Sequence, residues 1–288
     1  MDANMTHRVG FAAVAIPLAL GVVWFGGWPL AALVSLIAAL GVRELYDIAA
    51  HQGIAAFRRT GMLAAVAAPL AVHAATTRPE AAAWLAGSWM YLGAGFVLWL
   101  LAQALVERAP SARPLGAVAV TAFGVAYAAL LPAFLLGIRH ARWPERSWAG
   151  AALVFFPLVV TWICDTAAMF GGRAIGGAKL APTISPGKTR AGGLAGLVGG
   201  ALVAPLFVYA VFPATGISLA LLPAVGTALV LATLGQLGDL AESLFKREAG
   251  VKDSSALIPG HGGVLDRFDS LYFVLPAAAV CYRLLGLV

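Results

Sequence analysis

The sequence predicts an all-α protein that crosses a membrane about nine times. Hydrophobic residues make up 61% of its 288 residues and charged residues only 11%, whereas about 25% of the residues in a soluble domain are charged. Several stretches without Asp, Glu, Lys or Arg also match or exceed the roughly 20 apolar residues that span a hydrocarbon core. These observations exclude an ordinary soluble domain and favour a polytopic membrane protein.

Six charge-free stretches define the predicted helices: residues 9–42, 60–77, 81–106, 114–138, 147–164 and 191–238. The first and the last are each long enough for two passes. Gly-Gly-Trp-Pro at 26–29 and Pro-Ala-Thr-Gly at 213–216 are turn sequences that divide them into helical hairpins. The nine predicted spans are approximately 9–25, 29–50, 60–76, 82–106, 115–137, 148–171, 191–212, 217–246 and 268–287.

The chain is expected to divide into two membrane regions. Residues 1–147 would form an N-terminal region of about five helices, and residues 148–288 a catalytic region of about four helices. The catalytic region would include two polar loops, 172–190 and 247–267. Arg8 before an apolar run is also typical of a signal peptide, but the run continues into a second pass without a convincing cleavage region.

The basic residues predict the orientation of the chain. With nine passes, 14 of the 19 Lys and Arg residues lie on one side and five on the other, and the richer side is placed in the cytoplasm. The loops 172–190 and 247–267 are separated by two helices, so both would face the cytoplasm from a cytoplasmic (inner) membrane. The net charge of +6 is therefore attributed to topology, and no nucleic-acid partner is expected.

Seven of the 13 acidic residues lie between residues 165 and 269 of this apolar chain. They are Asp165, Asp239, Glu242, Glu248, Asp253, Asp266 and Asp269. An ionisable group in a membrane helix costs at least about 2.5 to 3.5 kcal/mol on insertion scales, so its retention suggests a function. Asp165 could ligate a metal, bind a sugar or base, or pair with Lys188.

The eighth predicted helix carries a polar stripe at spacings of three and four residues. Its members are Gln236, Asp239, Glu242, Ser243 and Lys246. Residues at these spacings share one helix face, so the stripe is expected to point into the protein. Gly235 and Gly238 beside it would let another helix or a ligand approach the backbone closely.

At the start of the ninth predicted helix, Asp266 and Asp269 share a face and Arg267 lies between them. Closely placed carboxylates repel each other unless protons or cations intervene, and hard oxygen ligands beside a phosphate suit Mg²⁺. The alternative is a structural salt-bridge cluster with Lys246, Arg247 and Lys252.

The loop at 180–193, Leu-Ala-Pro-Thr-Ile-Ser-Pro-Gly-Lys-Thr-Arg-Ala-Gly-Gly, ends at a predicted helix N-terminus. Its hydroxyls, two cations and the helix dipole would favour a polyphosphate. The residues concerned are Ser185, Lys188, Thr189 and Arg190. The loop lacks the P-loop string, and a loop that merely anchors by positive charge is the alternative.

His261 lies in the sequence Pro-Gly-His-Gly-Gly at 259–263. The flanking glycines imply a tight backbone path that can approach a ligand. A hydrogen-bonding scaffold or phosphate contact is the expected role, and proton transfer is the alternative.

Residues 243–269, SLFKREAGVKDSSALIPGHGGVLDRFD, resemble the signature of phosphatidate cytidylyltransferases, also called CDP-diacylglycerol synthases. The upstream segments DTAAMFGGR and PTISPGKT are also similar, so the resemblance covers about residues 160–276. RELYDIA at 43–49 is a weaker echo. Small departures occur at Ala168, Met169, Gly187 and Arg190, and none removes a residue that the resemblance makes a ligand.

The resemblance implies an enzyme that transfers CMP from CTP to phosphatidate in the bilayer, with Mg²⁺ and room for a second cation. It implies that Asp239 and Asp266 bind metal, with Asp165 and Glu242 as further candidates. The implied CTP-binding residues are Asp165, Lys179, Ser185, Lys188 and Thr189. The other implied catalytic residues are Lys246, Arg247, Lys252, His261, Arg267 and Asp269. A homodimer is left open.

Three other functions remain as alternatives. A cation-coupled transporter would also place Asp165, Asp239 and Lys246 within the membrane, but it predicts charges near the midplane and weak internal repeats. Here the charges cluster at one end of the helices, and the two halves show no repeat. The closer alternatives are a lipid kinase and a CTP-dependent enzyme that acts on a different lipid.

Overall fold

The computed structural model describes residues 17–258 and 262–288, and most of them form helices. Helix α1 is described over residues 17–25. The long helices that follow are α2 (Gly27–Ala50), α3 (Arg58–Thr77), α4 (Pro79–Glu107), α5 (Pro114–Val125), α6 (Leu131–His140), α7 (Trp148–Ile175), α8 (Arg190–Ala201), α11 (Leu221–Glu248) and α13 (Leu271–Leu284). Three short helices are α9 (Val203–Leu206), α10 (Phe212–Ala214) and α12 (Leu265–Phe268). The predicted all-α membrane fold is confirmed.

Seven helical segments of the described residues are long and apolar enough to cross a membrane, and they match the second to the eighth predicted spans. The first predicted span, 9–25, begins outside the described residues. The last one corresponds to α13, which has 14 residues and is shorter than a complete span. The count of nine therefore stays a prediction.

Two of the spans change helix type near a proline. Ala126–Leu130 between α5 and α6 and Phe207–Val211 between α9 and α10 are π-helical. Each π-helical turn ends two residues before a proline, Pro132 or Pro213. A proline has no N–H and its ring clashes with the carbonyl four residues earlier, so the wider turn accommodates it within a continuous span.

The described chain forms two compact units that interleave along the sequence. The first unit contains 17–18, Gly27–Gly137, 248–258 and 262–267, and the second contains Ala19–Gly26, Ile138–Arg247 and Phe268–Val288. Each unit thus combines early and late segments of the chain. The division at residue 147 into an N-terminal region and a catalytic region stays a prediction.

Within the first unit, Tyr46 and Thr121 join α2 to α5. The Tyr46 hydroxyl donates to the Thr121 carbonyl at 2.9 Å, and the backbone N–H of Phe57 donates to the Thr121 hydroxyl at 2.8 Å. All three side chains are buried. Buried polar groups need such partners. These bonds therefore hold α2 and the segment that follows it against α5.

In the second unit, a buried arginine closes the end of α1. Arg139 is fully buried and donates to the carbonyls of Val23 at 2.8 Å, Trp24 at 2.7 Å and Pro144 at 3.0 Å. The last carbonyls of a helix have no partner within the helix, and a cation there also interacts favourably with the helix dipole. Arg139 therefore satisfies and stabilises this helix end.

Glycines allow α7 and α8 to pack in close contact. A Cβ atom at Gly192 would lie 2.7 Å from the Ala168 carbonyl oxygen, and one at Gly196 would lie 3.0 Å from the Cys164 carbonyl oxygen. Small residues at such spacing let membrane helices approach closely. The contact places the start of α8 beside the second half of α7.

The segment between α7 and α8 departs from the predicted loop. Helix α7 continues to Ile175, and Lys179–Ala181 (β1) pairs antiparallel with Ser185–Thr189 (β2). Lys179 lies opposite Thr189, and Ala181 lies opposite Ser185. The predicted phosphate loop is therefore a β-hairpin that leads directly into α8.

The expected close approach at Gly235 and Gly238 is confirmed, and the partner is the chain around the start of α13. A Cβ atom at Gly238 would lie 2.6 Å from the Asp269 carbonyl oxygen, and one at Gly235 would lie 3.3 Å from Val274. Backbone cannot move away as a flexible side chain can. Gly238 is therefore the position where α11 least tolerates a side chain.

Replacement of Gly238 by Ala should lower the free energy of unfolding by about 1 to 3 kcal/mol, because the new methyl group overpacks the contact with the Asp269 carbonyl. Thermal unfolding of the purified protein in detergent measures this change. Gly226→Ala on the same helix is the control, since nothing lies within 4 Å of a Cβ atom there. Equal unfolding temperatures for the two variants would contradict the packing argument.

Candidate active site

The polar stripe of α11 faces the interior, as its spacing predicts. Glu242 is fully buried, and Ser243 and Lys246 are each only 8% exposed. Lys246 Nζ lies 3.1 Å from Glu242 Oε1. Both side chains are withdrawn from water, so each charge is compensated by the other. Lys246 and Glu242 therefore form a structural contact in addition to any ligand that they bind.

A second ion pair joins the hairpin to α11. Lys188 Nζ on β2 contacts Asp239 Oδ2, and the Ser243 hydroxyl lies 3.4 Å from Asp239 Oδ1. The Lys188 and Asp239 side chains are 28% and 30% exposed, in contrast to the sealed pair of Lys246 and Glu242. A partly exposed lysine or carboxylate can leave its partner and contact a charged ligand. Of these two ion pairs, that of Lys188 and Asp239 is therefore the accessible one.

Two further residues of α11 hold the hairpin and the start of α8. Gln236 Nε2 donates to the Gly193 carbonyl at 3.1 Å, and Arg247 Nε donates to the Ile184 carbonyl at 3.1 Å. The hairpin is thus tethered to α11 near its turn, along β2 and just beyond its end. Arg247, predicted to bind phosphate, also supports the hairpin, and its phosphate role stays a prediction.

Thr189 forms the N-cap of α8. Its side-chain oxygen accepts a hydrogen bond from the backbone N–H of Gly192 at 3.0 Å. The threonine is buried, whereas Lys179 at the other end of the hairpin is exposed and Ser185 is half-buried. Thr189 therefore shapes the helix start, and direct contacts of these three residues with CTP stay predictions.

In the second unit, the charges of two other predicted carboxylates affect Asp269. Asp269 lies in the turn between α12 and α13, outside the seven candidate spans, and its Oδ1 accepts a hydrogen bond from Ser270 N at 2.6 Å. Burial and, to a smaller extent, the negative charges of Asp239 and Asp165 together raise the pKa of Asp269 to about 7. Asp165 itself is exposed on α7.

The other predicted metal ligand, Asp266, belongs to the first unit. Its Oδ2 accepts hydrogen bonds from Ser254 N, the Ser254 hydroxyl and Gly263 N, each at 2.8 Å. Gly262 has a φ of +78°, a conformation that favours glycine. The turn before α12 therefore wraps backbone donors around this carboxylate.

Glu44 on α2 is a buried carboxylate that the sequence analysis did not select. It is 3% exposed and accepts hydrogen bonds from Ser254, Ser255, Val264 and Leu265. The available signals were an acidic residue within an apolar helix and the weak echo at 43–49. Glu44 lies far along the sequence from the C-terminal acidic residues.

The remaining predicted residues are placed less specifically. Lys252, Asp253 and Arg267 are exposed in the first unit. His261 lies outside the described residues. Their roles stay predictions.

The family model described as the cytidylyltransferase family matches residues 6–285. The chain belongs to the cytidylyltransferase family. The match covers both units and every residue named in this site.

Curated relatives of this cytidylyltransferase carry a consistent name. The chain is 33% identical to a phosphatidate cytidylyltransferase of Synechocystis sp. over 295 residues, which covers 94% of each protein. It is 39% identical over 163 residues to the Haemophilus influenzae protein of that name, with 54% of this chain and 55% of that protein covered. For the Staphylococcus saprophyticus protein of that name the identity is 48% over 132 residues, and the covered shares are 46% and 49%.

Carboxylates are the candidate ligands for Mg²⁺ in this cytidylyltransferase. Residues 17–258 and 262–288 contain no group of three or more His, Cys, Asp or Glu side chains placed to hold a metal ion. Mg²⁺, however, keeps several waters and uses one or two carboxylates together with substrate phosphates. The carboxylates of Asp239 and Asp266 have the hard oxygen atoms that it prefers. Their chemistry fits Mg²⁺, and its binding stays a prediction.

Replacement of Thr189 by Val should expose the start of α8 by removing the acceptor for Gly192 N. Loss of an N-cap costs about 0.5 to 2 kcal/mol. Hydrogen–deuterium exchange of a peptide that covers residues 190–195 should therefore increase, while Thr189→Ser should retain the wild-type rate.

Thr166→Val is the matched control, since the Thr166 hydroxyl is exposed and only donates to the Trp162 carbonyl within α7. If both Thr→Val variants changed exchange at residues 190–195 equally, or neither did, the assigned cap would be wrong.

Proposed function

We propose that this protein transfers the CMP group of CTP to the phosphate of phosphatidate, forming CDP-diacylglycerol and pyrophosphate for phospholipid synthesis. The observation that carries the proposal is the accessible pair of Lys188 and Asp239 at the hairpin that leads into α8. The similarity over 94% of the chain to a relative named phosphatidate cytidylyltransferase supports the choice of substrates.

The hairpin and the start of α8 have the chemistry to bind the triphosphate of CTP. A helix N-terminus presents backbone N–H groups and the positive end of the helix dipole. Lys188 adds a cation that is partly exposed, and Ser185 and Lys179 lie on the same hairpin. On binding, Lys188 would exchange the Asp239 carboxylate for a phosphate oxygen.

The release of Asp239 from Lys188 would leave a carboxylate for Mg²⁺. We propose Asp239 as a ligand of this ion, which when bound would neutralise phosphate charge and activate the phosphorus towards attack. Asp266 in the first unit stays a candidate metal ligand in its own right. Asp165 and Glu242 are further candidates for metal, including a second cation. Because Glu242 is already sealed in its pair with Lys246, Asp165 is the more accessible of the two.

The reaction would be an in-line displacement. A phosphate oxygen of phosphatidate forms a bond to the α-phosphorus of CTP, the bond between this phosphorus and the bridging oxygen breaks, and its electron pair leaves with pyrophosphate. A phosphomonoester has a second pKa of about 6 and is largely dianionic at neutral pH. The protein therefore needs no strong general base, and its main tasks are positioning and charge neutralisation.

Exposed cations would receive the lipid phosphate and the departing pyrophosphate. Lys252 and Arg267 are exposed on the segment that contains Asp266, and a charge-assisted hydrogen bond contributes about 1.5 to 3 kcal/mol. The excess of Lys and Arg on one side of the chain supports a site that faces the cytoplasm from the inner membrane, where CTP is available. A homodimer stays a prediction.

The purified protein with CTP, Mg²⁺ and phosphatidate should release pyrophosphate and form a CDP-lipid. Asp239→Asn and Asp266→Asn should each lower turnover by about 100-fold or more, because several kcal/mol of charge stabilisation would be lost. His261→Ala should retain measurable turnover, since no strong base is required. Pyrophosphate release and chromatography of the labelled lipid measure these outcomes.

Glu80→Gln is the matched control, because Glu80 is exposed at the start of α4 and has no assigned role in the reaction. Release of CDP from diacylglycerol and CTP would instead identify a lipid kinase, and turnover of another lipid phosphate alone would identify a different substrate. No turnover with any of these lipids would reject the proposed function.

A further inference from the structure

Glu44 has an unusual position for a carboxylate in an apolar helix. It lies on α2 and is 3% exposed, and it accepts its hydrogen bonds from two serine hydroxyls and two backbone N–H groups. These donors belong to residues at least 210 positions later in the chain. The carboxylate thus connects an early helix to residues 254–255 and 264–265.

The four contacts use both carboxylate oxygens. Oε1 accepts from the Ser255 hydroxyl at 2.7 Å and from Val264 N at 3.0 Å. Oε2 accepts from the Ser254 hydroxyl at 2.9 Å and from Leu265 N at 2.7 Å. Each oxygen therefore accepts from one hydroxyl and one backbone N–H. An ionised carboxylate has no proton to donate, so these four donors match its acceptor oxygens.

Ser254 links Glu44 to Asp266. The Ser254 hydroxyl lies 2.8 Å from Asp266 Oδ2 as well as 2.9 Å from Glu44 Oε2. Its single proton is shared between two carboxylates, while its backbone N–H donates to Asp266 at 2.8 Å. Any shift of Ser254 away from Glu44 would therefore also move donors of Asp266.

The described residues around Asp266 form only short regular elements, which hold this segment weakly by themselves. Helix α12 has four residues, and the pairing of Ile258 with Gly262 is an isolated bridge. A Cβ atom at Gly263 would clash with both the Ser254 hydroxyl and the Glu44 carboxylate. The segment is thus packed directly on Glu44, which provides order that short elements do not supply.

We propose that Glu44 is a positioning residue that fixes residues 254–258 and 262–265 and, through Ser254, the Asp266 carboxylate for the cytidylyl transfer. The inference rests on the proposed function for its catalytic consequence, but the ordering of the segment is independent of it. Glu44 does not touch the reacting groups in this proposal.

Glu44→Gln tests the proposal sharply. Each carboxylate oxygen faces a backbone N–H, so the Gln amide nitrogen must face Val264 N or Leu265 N in either orientation. Hydrogen–deuterium exchange of peptides covering 254–258 and 262–268 should therefore increase in the metal-free protein. In the transferase assay kcat should fall by about 100-fold, the order expected for a displaced catalytic group, with little change in the KM for CTP.

Asp47→Asn is the matched control on the same helix. Asp47 pairs with Arg58 at a partly exposed position, so the same chemical change should leave both exchange and kcat at wild-type values. Ser255→Ala is a milder variant that removes one donor and keeps the carboxylate. It should produce a smaller rise in exchange and a smaller fall in kcat than Glu44→Gln.

Wild-type exchange and kcat in a folded Glu44→Gln protein would overturn the proposal, as would a lower kcat without increased exchange. If Glu44→Gln does not fold, Ser255→Ala decides: wild-type values for both measurements would overturn it. Absence of CDP-lipid formation by the wild-type protein would reject the proposed function instead, and the exchange data would still test the ordering of the segment.

Discussion

A charged group that leaves water must receive a cation or hydrogen-bond donors within the protein, and this constraint organises the polar parts of the structure. Glu242 satisfies it with Lys246, Asp239 with Lys188, and Glu44 with four neutral donors. In a chain with 11% charged residues, each such group restricts where a distant segment can lie. Polar contacts therefore specify the positions of the loops, whereas the long apolar runs of the sequence specify the membrane helices.

Close packing makes these contacts possible. Gly192 and Gly196 bring α8 against α7, and Gly238 brings α11 against the chain before α13. In lipid, helices gain little from hydrophobic association, so small residues and interhelical hydrogen bonds govern how closely they pack. The hairpin between α7 and α8 consequently lies within reach of Gln236, Asp239 and Arg247, and its cation meets a carboxylate.

The degree of exposure separates structural from reactive charge. The pair of Lys246 and Glu242 is sealed, so separating it would leave a buried charge without compensation. The pair of Lys188 and Asp239 is partly exposed, and an anionic substrate with its cation could replace each partner without net loss of neutralisation. This difference in solvent access supports Lys188 and Asp239 as the residues that meet the ligand under the proposed function.

The sequence by itself determined the membrane fold, seven of the spans, the inward polar face of α11 and the close approach at Gly238, because hydropathy and helical spacing are local properties. It also supported the family through the motif at 243–269. Only the tertiary structure decided that the predicted phosphate loop is a hairpin, that Thr189 caps α8 and that Glu44 accepts four hydrogen bonds from residues close to Asp266. These features depend on which desolvated donor meets which acceptor, and the partners of Glu44 lie at least 210 residues away, beyond the reach of any local pattern.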